Sequence, residues 1–303
     1  MDFILKENPE DFIVDEVFKR KLEENGKYSI CRLKKINYNT EDAIKTICNS
    51  LNIKRNRAGY AGLKDRRAIT YQTISLLQVP KNKIENLDLK DIELEFLGYS
   101  NGPVSLGDLE GNKFEIRVKN VDTSKIKRKE KILNLFDSQR FSSQNHLVGR
   151  HIIKGEFEEA ARKLENIKSV KEHLVSHPND YVNAIRTIPK KILLIYVHAY
   201  QSFIWNKIAH LAKTKTLQIP GFGLEIDENS LIKKALDEEG LTQRDFIVRQ
   251  IPGLSCEGAN RDVFVEIKDL EISVFPEKKE ALFKFYLPKG SYATLVVKNL
   301  IED

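Results

Sequence analysis

Cysteine is scarce: Cys31, Cys48 and Cys256 are the only three in 303 residues. None has a second cysteine or a histidine at metal-ligand spacing, and an odd, scattered count builds no disulfide framework. A reducing compartment and no metal site are expected. Long apolar runs are missing as well. The longest lies near residues 192–197, far below the roughly 20 residues of a membrane helix. The opening Met1-Asp2-Phe3-Ile4-Leu5-Lys6-Glu7 turns acidic too early for a secretory leader, so a cytoplasmic location and no membrane partner are expected. No glycine-rich cofactor turn follows a strand and no cluster of carboxylates appears, which argues against a methyltransferase and a metal-dependent nuclease. There is no internal repeat.

What the chain does have is charge. Fifty Lys+Arg oppose 44 Asp+Glu, a balance of +6, which by itself says little about an anionic partner. The length suggests two domains. Phe12, Val14 and Val17 alternate with acids, as a strand would. Further strands are predicted over 28–36 and 69–77, at Ile92, Leu94 and Phe96, and at Phe114, Ile116 and Val118. After Thr40, read as an N-cap, Ala43, Ile44, Ile47, Cys48 and Leu51 follow helical spacing. Charged helix is expected over 124–136, and helices over 157–167, 197–212 and 231–239, the last stopped by Gly240. Strands are expected again over 263–267, 283–287 and 292–297. Strand-rich, helix-rich, strand-rich is the pattern of a helical insertion in an α/β domain whose sheet the C-terminus completes.

Distribution of charge is more informative than its total. Lys54-Arg55-Asn56-Arg57-Ala58-Gly59-Tyr60-Ala61-Gly62-Leu63-Lys64-Asp65-Arg66-Arg67 holds six cations and one acid. Read as a flexible loop between helix and strand, it can follow a phosphate backbone, with Tyr60 available to stack on a base. On composition alone, an aspartate flanked by cations is a surface ion pair of small worth.

The wording of the stretch goes further. Gly62-Leu63-Lys64-Asp65-Arg66-Arg67-Ala68-Ile69-Thr70-Tyr71-Gln72 resembles the G-x-K-D-R-x-A-x-T-x-Q signature of the TruD family, the tRNA pseudouridine synthases D. Five more segments resemble family motifs in family order: Asp11-Phe12-Ile13-Val14-Asp15-Glu16, then Leu106-Gly107-Asp108-Leu109-Glu110-Gly111-Asn112-Lys113-Phe114, then Asn134-Leu135-Phe136-Asp137-Ser138-Gln139-Arg140-Phe141, then His198-Ala199-Tyr200-Gln201-Ser202-Phe203-Ile204-Trp205-Asn206, and Leu287-Pro288-Lys289-Gly290-Ser291-Tyr292-Ala293-Thr294. The segment His146-Leu147-Val148-Gly149-Arg150 leans towards archaeal members. Asp137 and Ser142 stand where the family usually has glycine, and Leu135 replaces an aromatic. The chain is short for an archaeal member, which implies a trimmed insert.

The resemblance implies an α+β pseudouridine synthase fold, a largely antiparallel mixed sheet flanked by helices. A discontinuous catalytic domain would occupy 1–150 and 256–303, and an inserted helix-rich TRUD domain 151–255. It implies an isomerase that converts uridine to pseudouridine in tRNA, usually at position 13 of the D arm, without cofactor or metal. Asp65 would be the catalytic carboxylate, kept ionised by Arg66, Arg67 or Arg140. Phe136 would stack on the extruded base and Asn134 bond base or carboxylate. Arg140, Lys64 and Arg66 are expected at the substrate, and Lys54, Arg55, Arg57 and Arg67 on the RNA backbone. Tyr200, Gln201 and Trp205 are read as packing. Structured RNA is the only expected partner, with no obligate protein. A catalytically silent RNA-binding protein is the alternative.

Overall fold

The computed structural model describes residues 3–142 and 144–302. Contacts divide the chain into two compact units, one of residues 1–132 with 266–303 and one of residues 133–265. The divisions fall after 132 and after 265, and the helices that follow residue 137 pack with the helical segment.

In the first unit β1 (Ile4–Leu5), β2 (Phe12–Val17), β3 (Tyr28–Ile36), β4 (Ala58–Tyr60), β5 (Ile69–Leu77), β6 (Ile92–Ser100) and β7 (Gly111–Lys119) join the C-terminal strands Lys268–Phe275 and Glu280–Pro288 in one sheet. Its order is Lys268–Phe275, Glu280–Pro288, β7, β2, β5, β3, β6, with β1 also on β7 and β4 also on β5. Among the described strands of this sheet, only the β2–β5 pair is parallel. The central strands alternate as the sequence does: Phe12, Val14 and Glu16 turn inward while Ile13 and Asp15 stay half-buried. Across the ladder Phe114 meets Phe12 at 6.3 Å and Phe285 at 5.5 Å between ring centres. The helix Thr40–Ser50 lays Ala43, Ile44, Ile47 and Cys48 against Cys31, Leu33, Ile74 and Leu76. Its cap is Asn39, whose side chain accepts the Asp42 amide, so Thr40 is the first helical residue.

Two expectations fail here. Residues 292–297 are not a strand; Ala293–Ile301 is a helix. The β-branched run looked like a strand, but Ala293, Val296, Val297, Leu300 and Ile301 are the buried positions, the spacing of one helical face. Nor is 124–136 helical. Its backbone serves other segments: the Lys127 amide donates to the Leu300 carbonyl and the Glu130 carbonyl accepts the Ile267 amide, each at 2.8 Å. Lys131–Leu133 then pairs with Phe264–Glu266.

The second unit is built on the helix Lys190–Ala209, which buries Leu193, Val197, Tyr200, Ile204, Trp205 and Ile208. The helix Asn145–Ile153 crosses it closely at Gly149. A Cβ there would stand 2.0 Å from the Tyr196 carbonyl oxygen. Gln201 donates to the carbonyls of Pro220 and Glu257 at 2.6 and 3.1 Å, and Trp205 to that of Leu217 at 3.3 Å. These side chains tie the helix to the turn beside Thr216–Ile219 and its partner strand Ala259–Asp262. The helix Leu231–Glu238 ends before Gly240, which takes a φ of +64°. No described helix is long and apolar enough to cross a membrane.

Candidate active site

Asp65 sits in the turn between β4 and β5, and that turn is pinned from several sides. The Ala61 carbonyl accepts the Gly107 amide at 2.8 Å, and the Ala68 carbonyl accepts the Asn37 amide at 3.1 Å. Thr40 Oγ accepts the Lys64 amide at 2.9 Å and donates to Gln72, whose Nε2 donates to the Gly62 carbonyl at 3.2 Å. Beneath the turn, the fully buried Lys35 donates its ammonium to the carbonyls of Asp65, at 2.8 Å, and Tyr38. So the stretch is not the flexible loop its glycines and charges suggested. Buried Ala61 and Ala68 close its two ends, and Thr40 of the neighbouring helix and Gln72 of the signature are its fasteners.

The Asp65 side chain keeps 46% of its surface exposed, and one carboxylate oxygen lies 2.9 Å from the Lys6 ammonium. Lys6 also covers the Phe12 ring, 3.9 Å from its centre, which adds a cation–π attraction to the ion pair. Its backbone takes a φ of 58°, a conformation a β-carbon disfavours by roughly 1–2 kcal/mol. The arginines expected to hold Asp65 ionised turn elsewhere in this unit. Arg66 Nε approaches the Asn37 carbonyl at 3.4 Å, and Arg67 donates to the Glu7 carbonyl at 3.1 Å. Lys6 was missed because nothing in the sequence places an N-terminal lysine against residue 65. Lys35 was missed because it lies in a strand with two adjacent lysines. Burial lowers its ammonium to about 8, and the nearby Asp65 charge opposes that fall.

Lys64 lies inside the unit. Its ammonium is 2.6 Å from the Glu16 carboxylate, with side-chain exposures of 6% and 0%, and it donates to Asn112 Oδ1 at 2.8 Å. Glu16 also accepts the Thr73 amide at 3.0 Å. Three of the family-like motifs are thereby tied at one buried point, which a basic stretch read alone does not reveal. Arg55 makes a two-pronged pair with Glu41 at 3.0 and 3.1 Å, and Tyr60 donates its hydroxyl to the same carboxylate at 2.6 Å. Burial and Glu41 push the Tyr60 phenol up to about 12. Tyr60 is therefore a structural tyrosine, not a loose stacking ring. Arg57 donates to the Leu77 and Gln78 carbonyls. Lys54, Arg66 and Arg67 are exposed.

The second unit collects the other expected residues around Phe136. The Asn206 side chain accepts the Phe136 amide and donates to its carbonyl, both at 2.9 Å, so the last residue of one motif fixes the backbone of another. The half-buried Phe136 ring meets Trp205 edge-on at 5.7 Å. The Arg261 guanidinium lies over the same ring, 4.1 Å from its centre, and that of Arg140 lies at 5.6 Å. Arg140 Nε donates to Ser202 Oγ at 3.3 Å. Asn134 is buried; its Oδ1 accepts from Arg261 at 2.8 Å and its Nδ2 donates to the Asp262 carbonyl at 3.1 Å. Arg261 also binds the Asn134 carbonyl through Nε and Nη2 at 2.9 and 2.7 Å. Phe136 lies in an irregular stretch after the strand Lys131–Leu133, not at the end of a helix as its apolar neighbours suggested. Arg261 had no signal, being one cation among many in an unremarked strand. Ser142, at a family glycine position, takes a φ of 43° and ψ of −150°, backbone that glycine adopts cheaply.

The family model described as tRNA pseudouridine synthase D (TruD) matches residues 1–172, 162–220 and 211–300. The chain belongs to the TruD family. A Nanoarchaeum equitans protein described as a "Probable tRNA pseudouridine synthase D" is 31% identical over 99% of this chain and 98% of its own length. The Aquifex aeolicus tRNA pseudouridine synthase D is 29% identical over 99% of this chain and 98% of its own. A crystal structure of a TruD protein from Methanosarcina mazei superposes with a TM-score of 0.75 at 27% identity, covering 99% of this chain and 93% of that one. The α+β fold is thus the TruD fold. A Methanosarcina mazei relative aligns over 410 positions against a chain of 303 residues, so this TruD member lacks segments its relative has.

Proposed function

We propose that this TruD protein isomerises uridine to pseudouridine in tRNA, at position 13 of the D arm, with Asp65 as the catalytic carboxylate and with no cofactor or metal. In this reaction the C1′–N1 bond breaks, the uracil turns, and a C1′–C5 bond forms. The C5 proton leaves and N1 gains one, so atoms balance with no oxidant. The reaction asks for one ionised carboxylate beside the sugar, as a nucleophile at C1′ or as a base on a ribose proton. The observation that carries the reading is Asp65 on a pinned turn, open to solvent, with the Lys6 ammonium 2.9 Å from its carboxylate.

Extruding the base costs a few kcal/mol, and an aromatic surface returns part of that. Phe136 is the proposed platform, held by Asn206 beneath the cation of Arg261. Asn134 then acts by setting Arg261, since its amide already has protein partners. Lys54, Arg66 and Arg67 are the proposed phosphate contacts. Arg55, Arg57 and Lys64 fix the framework behind them.

The test is incubation of unmodified tRNA with purified protein, followed by carbodiimide treatment and primer extension. A single new stop one nucleotide 3′ of position 13, where extension halts before the adduct, supports the proposal. Bound tRNA with no pseudouridine identifies a silent RNA-binding protein instead, and pseudouridine only outside the D arm overturns the assigned site.

A further inference from the structure

Lys35 is out of place by ordinary rules of burial. It is fully buried in a central strand, where a lysine side chain is almost never found unpaired. Its ammonium meets two backbone carbonyls, of Asp65 at 2.8 Å and of Tyr38, and among the described residues it pairs with no carboxylate. Across the ladders Lys35 is flanked by Thr70 on β5 and Ile92 on β6. The Thr70 hydroxyl is itself buried without a hydrogen-bond partner among the described residues. The charges that act on the ammonium come from the turn, from Asp65 and Lys64. Lys64 is matched by Glu16, and Asp65 by Lys6. A methionine or leucine would fill the same space without the desolvation cost. What those residues cannot do is hold the peptide carbonyl of the one aspartate in the turn.

We infer that Lys35 is a positioning residue for Asp65: its ammonium grips the Asp65 carbonyl from below, fixes the backbone that aims the carboxylate, and places positive charge behind it. This rests on the reading of Asp65 as the catalytic group. The two bonds to Asp65 and Tyr38 also join the end of β3 to the turn, so the aim of the carboxylate follows the sheet and not a mobile loop.

The test compares native protein, Lys35→Met and Lys35→Gln on unmodified tRNA. Lys35→Met keeps length and burial and removes the donor, so the protein folds with the Asp65 carbonyl unanchored while the turn's other bonds remain. A drop in kcat of about 10- to 100-fold is expected, of the order that a small misplacement of a reacting group produces. KM and tRNA affinity stay within about two-fold, and the acid limb of the kcat profile moves to higher pH as the cation behind the carboxylate is lost. Lys35→Gln, with one amide donor, recovers part of kcat. A native-like kcat and an unmoved profile in Lys35→Met overturn the inference. A second measurement needs no variant at Lys35: the Cε resonance of Lys35 is titrated in native protein and in Asp65→Asn. Loss of the Asp65 charge moves that titration to lower pH. An unmoved titration overturns the inference even if Lys35→Met fails to fold. Full activity in Asp65→Asn is the separate result that removes the reading of Asp65 itself.

Discussion

Replacing Lys64 by methionine separates a structural lysine from an RNA-binding one. With side-chain exposures of 6% for Lys64 and 0% for Glu16, the substitution leaves a carboxylate in the interior with its cation gone. Breaking a buried pair from one side costs about 3–5 kcal/mol. The Thr73 amide still donates to Glu16 at 3.0 Å, so the lower end applies, about 3 kcal/mol. For a unit of this size each kcal/mol corresponds to roughly 2–4 °C, giving a Tm lower by about 6–12 °C. The double variant Glu16→Gln/Lys64→Met removes both charges and is expected to recover part of that loss, a coupling that a pair in contact shows and independent sites do not. Thermal unfolding followed by circular dichroism measures all three proteins, and filter binding over a salt series measures their grip on tRNA. The reasoning fails if Lys64→Met melts like the native protein while its tRNA affinity and salt slope fall, for then the ammonium meets phosphate and not Glu16.

Other expectations follow from the same geometry. Lys54→Ala should weaken tRNA binding and reduce the salt slope by about 1 with an unchanged melting point, whereas Arg55→Ala should lower the melting point, since Arg55 is paired with Glu41; equal behaviour of the two contradicts the division. Asn206→Leu removes both bonds to the Phe136 backbone and should cost about 1–3 kcal/mol in stability and reduce turnover more than affinity, which steady-state kinetics checks. Because the folded-state ammonium of Lys35 titrates near 8 against an ordinary 10.5, the folded protein sheds that proton first. Its contribution to stability therefore rises between pH 8 and 10.5, a slope that urea titrations should lose in Lys35→Met. Ser142→Gly relieves a φ of 43° and should raise stability by about 1 kcal/mol; a lower melting point refutes the strain.

Much of the sheet was legible because its strands alternate cleanly. Phe12 and Val14, or Ile92, Leu94 and Phe96, could be read without any relative. The errors have physical causes. Residues 292–297 combine β-branched residues with helical spacing, and the buried face at Val296, Val297 and Leu300 decided for helix. The 124–136 segment carries a helix-like composition but gives its amides and carbonyls to the C-terminal segment. For the candidate site, resemblance led to Asp65, yet the sequence says nothing of which cation meets it. Six neighbouring cations looked alike in one dimension. In the fold, Lys64 is buried, Arg55 and Arg57 are occupied by protein groups, and the ion pair comes from Lys6, 59 residues away. Long-range contacts of this kind leave no periodic trace.

The most direct test uses tRNA carrying tritium at uridine C5, because formation of the C1′–C5 bond must release that tritium to water. Native protein is expected to release it in proportion to pseudouridine formed. Asp65→Asn, which keeps the turn and its shape, is expected to bind the same tRNA and release none. Release by Asp65→Asn at the native rate would contradict the assignment of the carboxylate beside Lys6 as the reacting group.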